Sequence, residues 1–479
     1  MERCDLIISN ALIVDGSGAE GRLGNVAVNG GKIVAVGDTD GWTAEETIAA
    51  DGLVLAPGFI DVHTHDDMAA LKTPDMTFKI SQGVTTVVAG NCGISVAPFA
   101  TEGSFPPPFP LLGEAQEFRF PTVEAYRETL EKNRPAVNLA LLAGHSSLRV
   151  IAMKDELDRP ADDSQIGQMQ EVLRLALQQG CIGFSTGLGY PPAMQAPESE
   201  IVSLAGVLKE FPAAVYATHM RDEGDHVVEA VEETLRTGRT AGVPVVISHH
   251  KCAGRSNYGR SGETLKLIDA ARAEQGAGLD VYPYTASSTV LLPEFVRESD
   301  DVMITFSDPH PEHNGRRLED VVAEWDCSME ETIERLYPAG AIYFQMDEED
   351  LKRILAYPPS MVGSDGLPGQ PRPHPRLWGT FPRVLGRYVR QMKLLSLATA
   401  VHKMTGLSAE TFGLKDRGFI REGYVADLVL FDPDTVEDAA TFEAPEQPSH
   451  GISTVIVDGA IAWQDGAAAG ARRGRFLTH

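Results

Sequence analysis

Between residues 200 and 284 the chain exchanges helix for strand in regular rotation. "EIVSLAGVLKEF" reads as a helix and "AAVYATHMRDEG" as a strand that stops in a loop. "DHVVEAVEETLRTG" is a helix whose apolar stripe runs through Val228, Val231 and Leu235 and which ends at Gly238. Strand "VPVVISHH", helix "GETLKLIDAARAEQG" and strand "GLDVYPY" follow. Apolar strands alternating with helices indicate a parallel sheet covered by helices. No Gly-rich dinucleotide fingerprint opens a helix, and the zone in this style extends over residues 56–415. A closed (β/α)8 barrel therefore suits the chain better than an open doubly wound sheet.

The two ends have another texture. Residues 1–55 hold short alternating strands with Gly-rich turns ("DLIISNALIVDG", "NVAVNGGKIVAVGD", "GLVLAPG"), and residues 416–479 repeat the style in "GYVADLVLFDP" and "GISTVIVDGAIAWQDG". Both termini are expected to build one small β-sandwich domain. Residues 286–350 break the barrel rhythm before the last strand, "PSMVGSDG", with charged segments that are helical in part. An insertion there lies over the C-terminal face of a barrel, where a lid would sit.

A formal net charge of -27 argues against a nucleic-acid or anionic-membrane surface. The first residues read as a strand interrupted by Ser9 and Asn10 rather than a signal peptide, and no apolar run is long enough to span a bilayer. Five scattered cysteines form no disulfide framework, which fits a reducing cytoplasm. Oligomeric state is not readable.

Chemistry converges on strand ends. "PGFIDVHTHDD" closes an apolar run with His63 and His65; alternation puts Phe59, Asp61, His63 and His65 on one face and leaves Ile60, Val62 and Thr64 to pack under helices. Cys92 follows "GVTTVVAGN", His219 ends "AAVYATH" on the face of Val215 and Ala217, His249 ends "PVVISH" on the face of Val245 and Ile247, and Asp365 follows "PSMVGS". H-x-H alone is common in surface loops, but six metal-type ligands at strand ends on one rim point to a metal centre. Thiolate and imidazole are zinc's preferred donors, and three protein ligands leave a position for water. Cys92, His219 and His249 are the expected tight zinc site, with His63, His65 and Asp365 as an adjacent, weaker second site. Asp365 is also the expected general base and acid, taking a proton from water and passing it to a departing amine. His310 and His313 in "PHPEH" read as surface residues, as do His226, His402, His450 and His479; His250 points away from the metal face, His145 is undecided, and Cys4, Cys181, Cys252 and Cys327 read as unligated thiols.

"PGFIDVHTH", the strand-end histidines, "GSDG" and "REGYVADLVLFD" resemble the amidohydrolase superfamily over essentially the whole chain. Within it, "GNCG", "GFSTGL", "ISHHK", "YPY" and "GSDGLPG…RPHPRLWGTFPRVLG" look like the D-aminoacylase family, the N-acyl-D-amino-acid deacylases. The bridging lysine of many superfamily members has no counterpart in "GCIGFSTGL", whereas Cys92 matches the cysteine ligand of the D-aminoacylase type. The resemblance implies a small-molecule N-acyl-D-amino-acid substrate whose carboxylate is met by Lys251, Arg376, Tyr282, Ser288 and Tyr190. Two alternatives stay open: a cyclic-amide hydrolase of hydantoinase or dihydroorotase type, and a non-catalytic barrel scaffold.

Overall fold

The computed structural model describes residues 2–100 and 105–479. Eight parallel strands form the barrel: β1 (Phe59–Asp61), β2 (Val84–Ala89), β3 (Asn138–Gly144), β4 (Gly183–Gly187), β5 (Val215–His219), β6 (Val245–Ile247), β7 (Ala277–Val281) and β8 (Ser360–Val362). They pair in chain order from β1 to β8. The seam between β8 and β1 has no ladder among the described residues. It is closed by a bridge between Thr64 and Gly366 and by the Asp365 N–H donating to His63 O at 2.8 Å.

The strands are apolar on both faces because each face is buried differently. Val87, Leu139, Leu141, Phe184, Val245 and Ile247 pack outward with the helices. Ile60, Val62, Val88, Ala140, Leu142, Ile182, Val246 and Met361 fill the interior, closed below by Phe412 and Leu414. This corrects the expected faces. Phe59 points outward, its ring 5.7 Å from Phe381 and 6.3 Å from Phe431, while Ile60 and Val62 point inward. The His219 face is as expected, since Val215 and Ala217 are interior. The helix after β5 runs on to Ala241, three residues past Gly238, and Gly242 supplies the left-handed cap at φ 69°.

Strands from both ends share one nine-stranded sheet, joined where Val54–Pro57 pairs antiparallel with Leu428–Phe431. Its faces differ. Ile8, Val26, Val28, Leu428, Leu430 and Ile456 form a core of their own. Val429, Phe431, Val455, Val457 and Trp463 join the barrel's outer core, so the sheet is anchored to the barrel by an apolar face.

The insertion is more than helices. Ala286–Val290, Asp301–Ser307 and Ala339–Phe344 form a three-stranded antiparallel sheet over which Leu318–Trp325 and Met329–Leu336 pack. Helix Glu348–Ala356 instead packs on β7, β8 and helix Ser261–Arg272, in the place of a barrel helix. Among the described residues no helix is long and apolar enough to cross a membrane.

Candidate metal centre

All six expected ligands are buried and meet at the C-terminal mouth. Cys92 Sγ is the hub, 3.2 Å from His63 Nε2 and 3.3 Å from His249 Nε2. His219 Nδ1 lies 2.9 Å from His249 Nε2. Asp365 Oδ1 lies 3.2 Å from His65 Nε2 and 3.5 Å from His63 Nε2. His63, Cys92, His249 and Asp365 offer ligand atoms all within 4.8 Å of one another, and so do His219, Glu223 and His249.

Three of these residues reach the mouth through backbone that strand periodicity does not provide. Cys92, His249 and Asp365 have φ of 52°, 35° and 50°, in the left-handed region. Such a residue reverses the face on which its side chain emerges. His249 therefore enters the mouth although Val245 and Ile247, on its expected face, pack outward. Each left-handed residue costs on the order of 1–2 kcal/mol, so the surrounding bonds must hold it there. Gly363 is needed for a different reason: a Cβ there would lie 2.5 Å from His63 Cβ.

Carboxylates that the sequence reading missed orient the imidazoles. His63 Nδ1 is 3.3 Å from Asp280 Oδ2, and Asp280 Oδ1 also accepts the His249 N–H at 2.9 Å. His249 Nδ1 is 2.9 Å from Glu223 Oε1. Both rings thus turn Nε2 toward Cys92, the arrangement that carboxylate partners impose on metal-binding histidines. Asp280 was findable, as a carboxylate inside an apolar strand. Glu223 sits in a charge-rich loop and gave no such signal. Burial alone would raise the Cys92 thiol, but the charges of His63 and His249 and bonds from His219 and His249 hold it well below its usual value. A soft donor poised as thiolate among imidazoles is a zinc-type set. Metal bonds of about 2.0–2.3 Å put tetrahedral ligands roughly 3.3–3.7 Å apart, close to the 3.2 and 3.3 Å from Cys92 to His63 and His249, while His219 and His249 lie closer, at 2.9 Å.

Beside the ligands lies a cationic pocket. Arg376 is fully buried; its Nη2 donates to Asp365 Oδ2 at 2.9 Å and to Ser288 O at 3.1 Å. Its Nε and Nη1, and Ser288 Oγ, are buried with no hydrogen-bond partner. The guanidinium rests 4.5 Å above the Tyr282 ring. Lys251 Nζ is 5.7 Å from the same ring and is already held by Glu223 Oε1 at 2.6 Å. The Tyr190 ring lies tilted 4.7 Å from that of His219, and its hydroxyl bonds Thr289 Oγ1 at 3.0 Å, tying the insertion's first strand to the mouth. His145 is elsewhere: it lies 2.8 Å from Glu200 Oε1 in a buried cluster with Arg149.

Several other histidines differ from expectation. His313 is buried, its ring 5.0 Å from Trp325, because the insertion folds a small core around it. His402 is half-buried with Nδ1 2.8 Å from Gly16 O, and His479 is half-buried with Nε2 3.1 Å from Ile182 O. His250 points outward as expected, toward Thr264 Oγ1 at 2.8 Å. Cys4, Cys181, Cys252 and Cys327 are free thiols and join no ligand group among the described residues.

The sequence matches the Amidohydrolase family over residues 46–275 and 324–462. The chain belongs to that family. This amidohydrolase is 51% identical over 473 residues to the D-aminoacylase of Alcaligenes xylosoxydans xylosoxydans, a match spanning 99% of this chain and 97% of that protein. It is 50% identical to the N-acyl-D-aspartate deacylase of the same organism, over 98% of this chain and 94% of the relative. The crystal structure of N-acyl-D-glutamate deacylase from Bordetella bronchiseptica is similar with a TM-score of 0.96 at 46% identity, covering all of both chains. That structure is a complex with zinc and a phosphonate mimic of the reaction's tetrahedral intermediate. Identity of this extent along the full length places the chain in the D-aminoacylase branch.

Proposed function

We propose that this amidohydrolase hydrolyses N-acyl-D-amino acids to a carboxylate and the free D-amino acid, with zinc as its metal. One observation carries the reading: a thiol–imidazole ligand set adjoins a buried guanidinium whose Nε and Nη1 have no partner. A metal-ligand set beside a buried guanidinium suits an amide bond one atom away from an α-carboxylate. The D configuration rests on the relatives, all three of which are deacylases of D-amino acids by name. A cyclic-amide hydrolase is disfavoured because β4 ("GFSTG") offers no bridging lysine, and a scaffold role because every expected ligand is present.

Cys92, His219 and His249 would hold one zinc tightly; His63, His65 and Asp365, sharing the Cys92 hub, would hold a weaker second ion. Bound zinc supplies a Lewis acid that polarises the scissile carbonyl and acidifies water. The chain supplies the rest. One unpartnered N–H of the Arg376 guanidinium and the Ser288 hydroxyl grip the substrate carboxylate, and Tyr282 forms the floor beneath it. Lys251, paired with Glu223, adds positive charge at the edge, and Tyr190 shapes the wall beside His219. Asp365 Oδ1 takes a proton from the attacking water and delivers it to the departing nitrogen, so that the amide and water become a carboxylate and an amine. The Arg376 bond to Oδ2 keeps Oδ1 as the proton-carrying oxygen.

Residues 1–55 and 416–479 are read as one β domain flanking the barrel at 56–415, supported by their shared sheet. The protein is assigned to a reducing cytoplasm, supported by five unpaired cysteines. Metal content measured together with hydrolysis of N-acetyl-D- and N-acetyl-L-amino acids tests the function. Zinc with D-selective turnover is expected; zinc without turnover of either enantiomer refutes it.

A further inference from the structure

We propose that Lys79 is a positioning residue for Asp365, a buried cation that fastens the seam of the barrel where Asp365 sits. The proposal rests on the reading of Asp365 as the proton carrier. Lys79 lies on the short helix Thr77–Ile80 outside the barrel, yet its side chain is 0% exposed. Its Nζ donates to Asp61 Oδ2 at 2.7 Å, at the end of β1, and to Ser364 Oγ at 2.9 Å, just beyond β8. One ammonium therefore grips both strands that the barrel leaves unpaired by a ladder.

The groups it grips hold the backbone around Asp365. The Ser364 N–H donates to Asp61 Oδ1 at 2.8 Å. The Asp365 N–H donates to His63 O at 2.8 Å, and the Gly366 N–H donates to Ser364 Oγ at 3.1 Å. Three successive amides are thus fixed, two of them by acceptors that Lys79 itself binds. Asp365 needs this support because its φ of 50° is strained for a residue with a side chain. An ordinary barrel would fix β8 through ladders on both sides; here β8 has one with β7, and on the β1 side the Lys79 cluster supplements a single bridge. The tight trio of Cys92, His219 and His249 stands at the ends of β2, β5 and β6, none of which is a seam strand, so the clamp acts on the proton carrier rather than on the tight zinc ligands.

A purely structural ion pair would make another prediction, and two variants separate them. Ser364→Ala keeps the Lys79–Asp61 pair but removes the hydroxyl that joins Lys79 to Gly366. Lys79→Met removes the cation and leaves Asp61 and Asp66, 3.3 Å from Lys79 Nζ, both buried without their countercharge, so its melting temperature is measured alongside. Steady-state kinetics on an N-acetyl-D-amino acid, zinc per chain and thermal melting are read for each. The expected result for Ser364→Ala is kcat lower by about tenfold to a hundredfold, with KM within about twofold and zinc and melting temperature retained, since small misplacements of a catalytic group cost this much. Folded Lys79→Met shows the same split; if it does not fold, Ser364→Ala decides. Unchanged kcat in Ser364→Ala overturns the proposal, and so does loss of zinc in step with kcat. An inactive wild-type enzyme would instead refute the deacylase reading, which the same assay reveals before any variant is compared.

Discussion

Replacing Arg376 with Met separates its two roles, gripping substrate and holding Asp365. Its Nε and Nη1 are buried without partners. Those two groups lie on different edges of the guanidinium, so a substrate carboxylate accepts from one of them and gains one charge-assisted bond, worth roughly 1.5–3 kcal/mol. Arg376→Met should therefore lose about 1.5–3 kcal/mol of substrate binding, a factor of roughly 10–10² in kcat/KM. Lys251 does not compensate, because Glu223 Oε1 holds its Nζ at 2.6 Å. The variant also frees Asp365 Oδ2, so some loss of kcat is expected whatever the substrate. The deciding assay therefore compares an N-acetyl-D-amino acid with its primary carboxamide, which has no carboxylate to grip. The wild-type preference for the acid should collapse by that factor of roughly 10–10², mostly through KM. If acid and amide lose activity by the same factor, Arg376 acts only through Asp365 and the carboxylate socket is wrongly assigned.

Asp365→Ala should retain the tight zinc while kcat falls by about 10²–10⁴, as expected for removal of a general base; near-normal turnover in metal-replete protein would remove the assignment. Cys92→Ser should lose both zinc and activity on elemental analysis and assay, because the hub of both ligand groups is gone; full zinc occupancy would show that another residue supplies the soft donor. Glu223→Gln should weaken zinc affinity by about 10–100-fold through His249, measured by competition with a chelator, and unchanged affinity would count against the orienting role. Burial alone would raise Glu200, but bonds from His145 and Arg149 outweigh it and pull the carboxyl down to about 2. A depressed carboxylate pKa stabilises the fold above its unfolded value of about 4.3 and ceases to do so as pH falls toward 2. Glu200→Gln should therefore flatten the fall in melting temperature across that window, and an unaltered slope would assign acid unfolding to other groups.

The donor types were legible in the sequence and their exact geometry was not. Cys92, His219, His249 and Asp365 announced themselves as polar residues closing apolar runs, because a buried strand tolerates such groups only where it opens to a site. Strand alternation then failed at His249, where no periodic rule contains a left-handed residue that turns its side chain inward, and along Phe59–His65, where the register shifts between Phe59 and Ile60 and the strand ends at Asp61. The insertion's sheet was hidden for another reason: Ala286–Val290 pairs with Ala339–Phe344, some fifty residues on, and such non-local pairing leaves little local pattern. Glu223 and Lys79 were hardest, because a charged residue in a loop or short helix looks solvated until a fold buries it. These two kinds of omission are linked. A left-handed Asp365 persists only if its neighbouring amides are held, and the Lys79–Asp61–Ser364 cluster holds them. The catalytic residues can thus be picked out by type and position, whereas what keeps them in place is recruited from wherever the closed barrel brings a buried charge within reach.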